Sequence, residues 1–347
     1  MIDERAALQN AIGGLRVTHL IAVAAKLRLA DHLAAGPKTV GQLAHATGCD
    51  AGSLYRVLRA LASLGIFAEE SDRSFGLTSR AEYLRSDIAG SLRVAAEVAG
   101  EEWVWRPWGT LLHSVTSGTT AFDHLYGRST WEWFGENPAA AALFNQHMED
   151  ITSADADAVV AACDLSGVHT LIDIGGGQGR LIAAILRRNS AMRGVLFNLP
   201  HVIDSADRQK VQDVAPRLEF VAGDFFKAVP TGGDLYILKE ILHDWDDARA
   251  REILANCHQA MHANATLLII EHVICPANQP CSAKLVDIQM MVRTGGRNRT
   301  QDEFRELLVA SGFTEPEVFQ PSRGPGLLKA RQVERQSNRH DPAISKT

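Results

Sequence analysis

The chain has 347 residues, 46% of them apolar and 22% charged, and its 35 Lys plus Arg against 41 Asp plus Glu leave a formal charge of −6. The length exceeds the ~150 residues of a typical domain, so one large or two moderate domains are expected, and the apolar share excludes a wholly disordered chain. The acidic balance disfavours a globally cationic nucleic-acid binder, and the five scattered cysteines Cys49, Cys163, Cys257, Cys275 and Cys281 exclude a small disulfide-stapled scaffold, form no zinc-type CxxC pair and are expected to be reduced.

The opening MIDERAALQN carries Asp3 and Glu4 before any apolar run, unlike a secretory signal. No apolar stretch reaches the ~18 residues of a spanning helix, so a cytoplasmic protein with no membrane partner is expected. Leu15, His19, Ala22, Lys26 and Leu29, with Leu20, Val23 and Leu27, predict a broad apolar helix. A helix-turn-helix pattern follows: Val40, Leu43 and Ala44 form one stripe, Gly48 breaks it, and Leu54, Val57, Leu58, Leu61 and Leu64 form the next. Ile66 and Phe67, then Phe75 and Leu77, predict the two strands of a wing, with Glu69 to Arg73 as its turn. In nucleic-acid binders of this plan the second helix enters the major groove, which would make Arg56 and Arg59 the contacts. Residues 36–87 hold six basic and six acidic side chains, and that zero balance argues against phosphate neutralisation. A winged-helix regulator is therefore retained only as an alternative.

Between Glu101 and Met148 the chain is rich in Trp and Phe. Spacings such as Trp105 to Trp108 and Trp131 to Phe134 place rings on common helical faces. Such rings serve either as core or as a wall for a flat ligand; Trp131, Phe134, Asn145 and Met148 are the substrate-side candidates, because they lie near the change of pattern that follows. From about Leu165, short apolar runs alternate with helical patterns. Strands are expected at 170–174, 195–197, 218–222, 235–239, 266–272, 313–318 and 327–331, and a helix opened by Asp246 and Asp247 carries Ile253, Leu254, Cys257 and Met261. Alternation of this kind predicts a parallel sheet covered on both faces, with ligands at the carboxyl ends of its strands.

The strongest local signal is 170-TLIDIGGGQGRL-181, an apolar strand running into Gly175, Gly176, Gly177 and Gly179 and then into a helix. Glycines allow a tight turn and a close approach of backbone to ligand. Arg180 stands where a GxGxxG dinucleotide fingerprint needs glycine, and no GK[ST] follows, so NAD and ATP are disfavoured while another nucleoside-containing cofactor stays open.

This string, together with 197-FNLPHVI-203, 223-GDFF-226, 239-KEILHDWDD-247 and 300-TQDEFRELLVASGF-313, resembles the S-adenosylmethionine-dependent small-molecule O-methyltransferases of bacteria and plants. The resemblance covers nearly the whole chain. It implies an α/β protein, with a C-terminal doubly wound Rossmann-like methyltransferase domain and a mainly helical N-terminal winged-helix domain. The expected boundaries are 1–100 for the winged-helix dimerisation domain and 101–160 for a helical connection and substrate-pocket segment. They continue with 161–331 for the catalytic domain and 332–347 for a flexible tail. A homodimer is expected, since related enzymes pair through the first domain. S-adenosylmethionine is the implied cofactor, S-adenosylhomocysteine its product, and no metal is expected.

By the same resemblance, Asp173, Gly175 and Gly177 would lie against the cofactor's amino-acid part, Asp224 and Phe225 around adenine, and Lys239 near the cofactor. Asn198 stands where the family usually has an acidic residue on the ribose; an amide offers one acceptor and two donors, so a charge-assisted bond is lost. His243 matches the family's catalytic base, and an imidazole can accept a phenolic proton near neutral pH. Glu271 matches the acidic residue that orients it. Asn298 stands at a second acidic position and can orient a ring but supplies no carboxylate. Met290 and Met291 suit either planar ligands or core filling, and His147, Asp287 and Arg293 are further candidates for polar contact with the acceptor. O-methylation of an aromatic secondary metabolite is the first reading. The two lost charges keep open N-methylation of an aromatic amine, which needs less help from a base, and a methyltransferase-like enzyme with altered chemistry.

Overall fold

The computed structural model describes residues 3–162, 165–320 and 324–333, without the side chains of residues 154, 155, 157 and 158. Cys163 and the tail from residue 334 lie outside the described residues. The chain divides into two compact units: Met1–Asp155 with Met291–Thr294, and Ala156–Met290 with Gly295–Thr347.

In the first unit, the apolar stripe of residues 15–29 is not one helix. It runs over Gly14–Lys26 and resumes at Leu29–Leu33, because Arg28 adopts a left-handed backbone (φ 52°) that breaks the hydrogen-bond ladder. The helix-turn-helix comprises Val40–Thr47 and Ala51–Ser63. Thr39 and Gln42 form a reciprocal capping box at the first helix, and Asp50 accepts from Ser53 N at the second, so exposed amide groups at both starts find partners. The wing contains three strands rather than the expected two: β1 (Lys38–Thr39), β2 (Phe67–Glu69) and β3 (Ser74–Leu77), with β3 in the centre. Leu29, Leu33, Leu43, Leu58, Leu61, Phe67 and Phe75 are fully buried beneath these elements.

The second unit is built on a seven-stranded sheet: β4 (Thr170–Ile174), β5 (Arg193–Asn198), β6 (Leu218–Ala222), β7 (Leu235–Lys239), β8 (Thr266–Glu271), β9 (Glu317–Phe319) and β10 (Gly326–Arg331). The spatial order is β6-β5-β4-β7-β8-β10-β9. Alternation along the strands sends Ile172, Ile174, Leu238 and Ile269 to one apolar cluster and Leu171, Leu196, Ile237 and Ile270 to the other. Helices Asp247–Ala260 and Gln301–Ala310 supply the first cluster, and Arg180–Arg188 the second.

Five strands are parallel, as alternation predicted, but β10 runs antiparallel to both β8 and β9. The connection between β9 and β10 is too short for the crossover that a parallel pair requires. The expected strand at 313–318 begins only at Glu317. Phe313 turns into the core and makes an isolated bridge with Gln332, and Pro316 has no N–H for a ladder. The parallel strands place their carboxyl ends, at Ile174, Asn198, Ala222, Lys239 and Glu271, along one edge.

Candidate active site

At the end of β4 the backbone turns at Gly175, whose φ of 73° disfavours any L side chain; an added Cβ would lie 2.4 Å from Ile241 Cδ1. Gly175 N–H donates to Phe197 O at 2.8 Å, tying the turn to β5. Directly behind it Asp173 is fully buried, and neither carboxylate oxygen has a hydrogen-bond partner. Burial pushes its pKa up to about 7, against the opposing charge of Lys239. An orphaned carboxylate beside a glycine turn fits a ligand that brings positive charge, such as one with an ammonium and a sulfonium. Gly177 continues the turn with φ 57°, and Gly179 leads into the helix at Arg180.

The neighbouring strand ends continue this edge. Asn198 closes β5, and its Oδ1 accepts from Leu199 N at 2.8 Å, which uses one of the oxygen's two lone pairs. Beyond β6, Asp224 Oδ1 accepts from Phe226 N at 2.9 Å and fixes the turn that carries Phe225. The Phe225 ring lies 3.8 Å from where a Cβ on Gly175 would stand, so the glycine turn and the aromatic face adjoin.

The end of β7 adds a buried ionic group. Lys239 Nζ donates to Glu240 Oε2 at 2.8 Å, and His272 Nε2 lies 3.3 Å from Glu240 Oε1; the Lys239 and Glu240 side chains are both nearly sealed from solvent. Burial opposes charge on Glu240, but His272, Lys239 and His243 outweigh it and hold the carboxyl well below the usual carboxylate range. Glu240 is also held at φ 54°, an uncommon conformation for a residue with a side chain.

His243 sits in the short turn Leu242–Asp244 that follows. Its Nδ1 is 3.2 Å from Glu271 Oε2, and its backbone N–H donates to Glu271 Oε1 at 3.2 Å. The ring and carboxylate are within reach but not aligned as a hydrogen bond, which a small ring rotation would supply. Nε2 faces the other way, 3.8 Å from Asp244 Oδ1. Burial pushes the His243 pKa below the ordinary histidine value, against Asp244 and Glu240, which favour the cation. Burial, reinforced by the charge of Glu240, lifts Glu271 to about 8. A neutral imidazole braced by a buried carboxyl group is suited to accept a proton.

Asn298 is buried in the same unit, but it is tied elsewhere. Its Nδ2 donates to Ala283 O at 3.2 Å, its N–H donates to Asp287 Oδ1, and its Oδ1 is buried without a partner. Among the described residues, no hydrogen bond joins it to His243 or Glu271. In the first unit, Phe134 is packed into a ring cluster, 5.2 Å from Trp103 and stacked 4.9 Å from Phe144, while Trp131 is half-buried at 6.1 Å from Phe144. Arg293 carries its guanidinium 4.5 Å from the Phe144 ring centre, and Thr130 Oγ1 donates to its carbonyl. Asn145, Met148 and Met291 are half-buried in that unit, and Met290 is buried in the other. Sequence reasoning missed Glu240, His272 and Arg299. An acid inside the apolar run 235-LYILKEIL-242 was the readable signal for the first.

Comparison with known proteins accords with this edge. The O-methyltransferase domain matches residues 108–314, and the O-methyltransferase dimerisation domain matches 9–87. The chain belongs to the O-methyltransferase family. It is 43% identical to the phenazine O-methyltransferase PhzM of Lysobacter antibioticus, over 94% of this chain and 96% of the relative. It is 34% identical to the 8-amino-8-demethylriboflavin N,N-dimethyltransferase of Streptomyces davaonensis, over 86% and 87%. It also matches the crystal structure of the O-methyltransferase NcsB1 from neocarzinostatin biosynthesis, in complex with S-adenosylmethionine and 2-hydroxy-5-methyl naphthoic acid. That match has a TM-score of 0.81 and 31% identity and covers 91% of this chain and 96% of the other. The protein is thus an S-adenosylmethionine-dependent O-methyltransferase by family. Among the described residues, no helix is long and apolar enough to cross a membrane.

Proposed function

We propose that the acceptor is a ring hydroxyl of a planar, fused aromatic compound and that His243 is its general base. The observation that carries this reading is the buried His243 ring, with Nδ1 3.2 Å from Glu271 Oε2 and Nε2 directed away from that carboxyl group. S-adenosylmethionine supplies the electrophilic methyl group when bound. Asp173, Gly175 and Gly177 would hold its amino-acid part, Asn198 the ribose, and Asp224 with Phe225 the adenine, while Lys239 sets the local charge. His243 Nε2 takes the hydroxyl proton as the oxygen gains nucleophilicity. Once ionised, Glu271 receives the Nδ1–H and favours the imidazolium that results. Burial keeps His243 neutral, and therefore basic, at physiological pH. Trp131, Phe134, Asn145, Met148, Met290 and Met291 are proposed to face the acceptor, with the aromatic rings suited to a flat ligand.

N-methylation is the second reading, favoured by the dimethyltransferase relative and by the missing carboxylate at Asn298. A neutral amine presents its lone pair without deprotonation. A mass-shift screen of matched hydroxyarenes and arylamines with S-adenosylmethionine separates the two: methylation confined to the hydroxyarenes supports the first reading, and methylation confined to the amines overturns it.

We also propose that the working protein is a homodimer. Helix Glu4–Ile12 buries none of its residues, and Leu8, Ile12 and Leu15 are more than 60% exposed, a run of apolar surface that a partner would cover. Light scattering at micromolar concentration is expected to give twice the 37.7 kDa chain mass, and Leu8→Glu with Ile12→Glu to give the single chain. An active wild-type monomer contradicts this assignment.

A further inference from the structure

The segment Gly295–Thr300 adjoins the turn that carries His243. A Cβ added to Gly296 would lie 2.1 Å from His243 O and 2.3 Å from the Asp244 carbonyl carbon, so no residue with a side chain fits there without displacing the turn. Three residues on, Arg299 is fully buried, and every nitrogen of its guanidinium is engaged. Nη1 donates to Leu242 O at 2.9 Å and to Arg297 O at 3.3 Å, Nη2 donates to Trp245 O at 3.0 Å and to Asp247 Oδ1 at 2.8 Å, and Nε donates to the same Oδ1 at 3.0 Å. Leu242 and Trp245 bracket His243 and Asp244. Asp247 opens the following helix. One planar fork therefore grips both ends of the turn and the start of the helix beyond it.

We propose that Arg299 is a positioning residue for methyl transfer, clamping the carbonyls on either side of His243 so that its ring keeps Nδ1 toward Glu271 and Nε2 toward the acceptor. The inference rests on His243 being the base. A buried arginine needs strong compensation, and here it comes from two backbone carbonyls of one turn together with the Asp247 carboxylate, which accepts from both Nε and Nη2, a use of charge that fixes geometry. Lysine has no fork and cannot span the same carbonyls. Arg299 acts on the pair electrostatically as well, because its charge favours ionised Glu271. The other charged groups acting on the pair are Lys239 and Glu240 at the end of β7, Asp244 on the turn, and His272 beyond β8.

The test uses the whole chain with S-adenosylhomocysteine bound, and compares wild type, Arg299→Gln, Arg299→Lys and Asp247→Asn. Side-chain 15N NMR of histidine reads the His243 tautomer across pH without an acceptor, with His243→Ala assigning the signal. Single-turnover transfer to 1-hydroxyphenazine as probe reads the chemistry. Arg299→Gln is expected to move the tautomer transition to higher pH and to lower turnover about 100-fold, the scale of a small misplacement of a reacting group, with S-adenosylhomocysteine affinity within about twofold of wild type. Arg299→Lys keeps the charge, so it restores the wild-type pH transition but not the turnover, a split that a generally loosened fold does not produce. Asp247→Asn leaves the guanidinium in place and weakens its anchor, giving a smaller loss of turnover and serving if the Arg299 variants do not fold. A folded Arg299→Gln protein with wild-type tautomer and turnover overturns the proposal, as does a fully active Asp247→Asn protein where no Arg299 variant folds. Full activity of His243→Ala instead overturns the role of the base, and the NMR arm then decides separately whether Arg299 fixes the ring.

Discussion

The winged-helix region and the strand-end edge of the catalytic unit bury their side chains on opposite terms. Between residues 3 and 87 the buried side chains among the described residues are apolar, and the charges lie outside, with Asp50 and Thr39 spent on helix caps. Along the strand ends the sheet buries Asp173, Glu240, His243, Asp244, Glu271, Asn298 and Arg299. Several of their polar atoms lack aligned partners, which is costly in a fold and is retained where a ligand or a proton transfer supplies the missing interaction. The first region is built for packing, and the second gives up stability to hold charge in place.

The contrast is broken most severely at His243. Alanine there is expected to lower turnover roughly 10²- to 10⁴-fold, the range of a lost general base, while calorimetric affinity for S-adenosylhomocysteine stays within about twofold. Loss of binding and turnover together would instead mark a structural residue. Glu271→Gln keeps the shape but removes the carboxylate that receives Nδ1–H once ionised, and turnover above about pH 8 is expected to fall about 10- to 100-fold, as for other orienting partners. Rapid-quench kinetics checks this, and an unchanged rate removes Glu271 from the site.

Asp173 sharpens the comparison from the side of stability. Its folded pKa of about 7 lies above the ordinary carboxylate value, so the folded chain binds an extra proton below that pH. Unfolding therefore becomes easier as pH rises through this window, by the sign of proton linkage. Asp173→Asn is expected to flatten that loss and raise the ligand-free melting temperature at pH 8 by several degrees, about 1 kcal/mol or more, while weakening S-adenosylmethionine binding. Scanning calorimetry at pH 6 and 8 checks both signs, and a variant less stable than wild type at pH 8 contradicts the burial account. Asn198→Asp gives the smallest effect: a restored acceptor on the ribose should tighten S-adenosylhomocysteine about 3- to 10-fold by titration, the worth of one charge-assisted bond.

What the sequence revealed follows the range of the interactions concerned. The glycine turn, the Asp246 cap and the alternating strands are local patterns, so β4 to β8 and the helix at Asp247–Ala260 were legible within a residue or two. The break at Arg28 depends on one residue's uncommon φ, and the reversal of β10 depends on which strand it joins. Neither leaves a periodic trace. His243 and Glu271 were found through the family's motifs, whereas Arg299 reads as any surface arginine until the fold brings Leu242 and Trp245, more than fifty residues away, onto its guanidinium. Phe134 carries two readings at once: its spacing with Trp131 suggests a ligand wall, and the structure packs it against Trp103 and Phe144.

The central claim is that a buried, braced imidazole takes the acceptor's proton during methyl transfer. The direct test is the pH dependence of single-turnover transfer by the wild-type protein, from about pH 5.5 to 9.5, to a hydroxyarene and to its amino counterpart. Because burial holds Glu271 protonated up to about 8 and a proton there competes for Nδ1, the hydroxyarene rate is expected to rise through that region as Glu271 ionises, with a further fall at acid pH as His243 protonates. The amine rate should vary far less. A hydroxyarene rate that is flat across the whole range, matching the amine, contradicts proton transfer to His243.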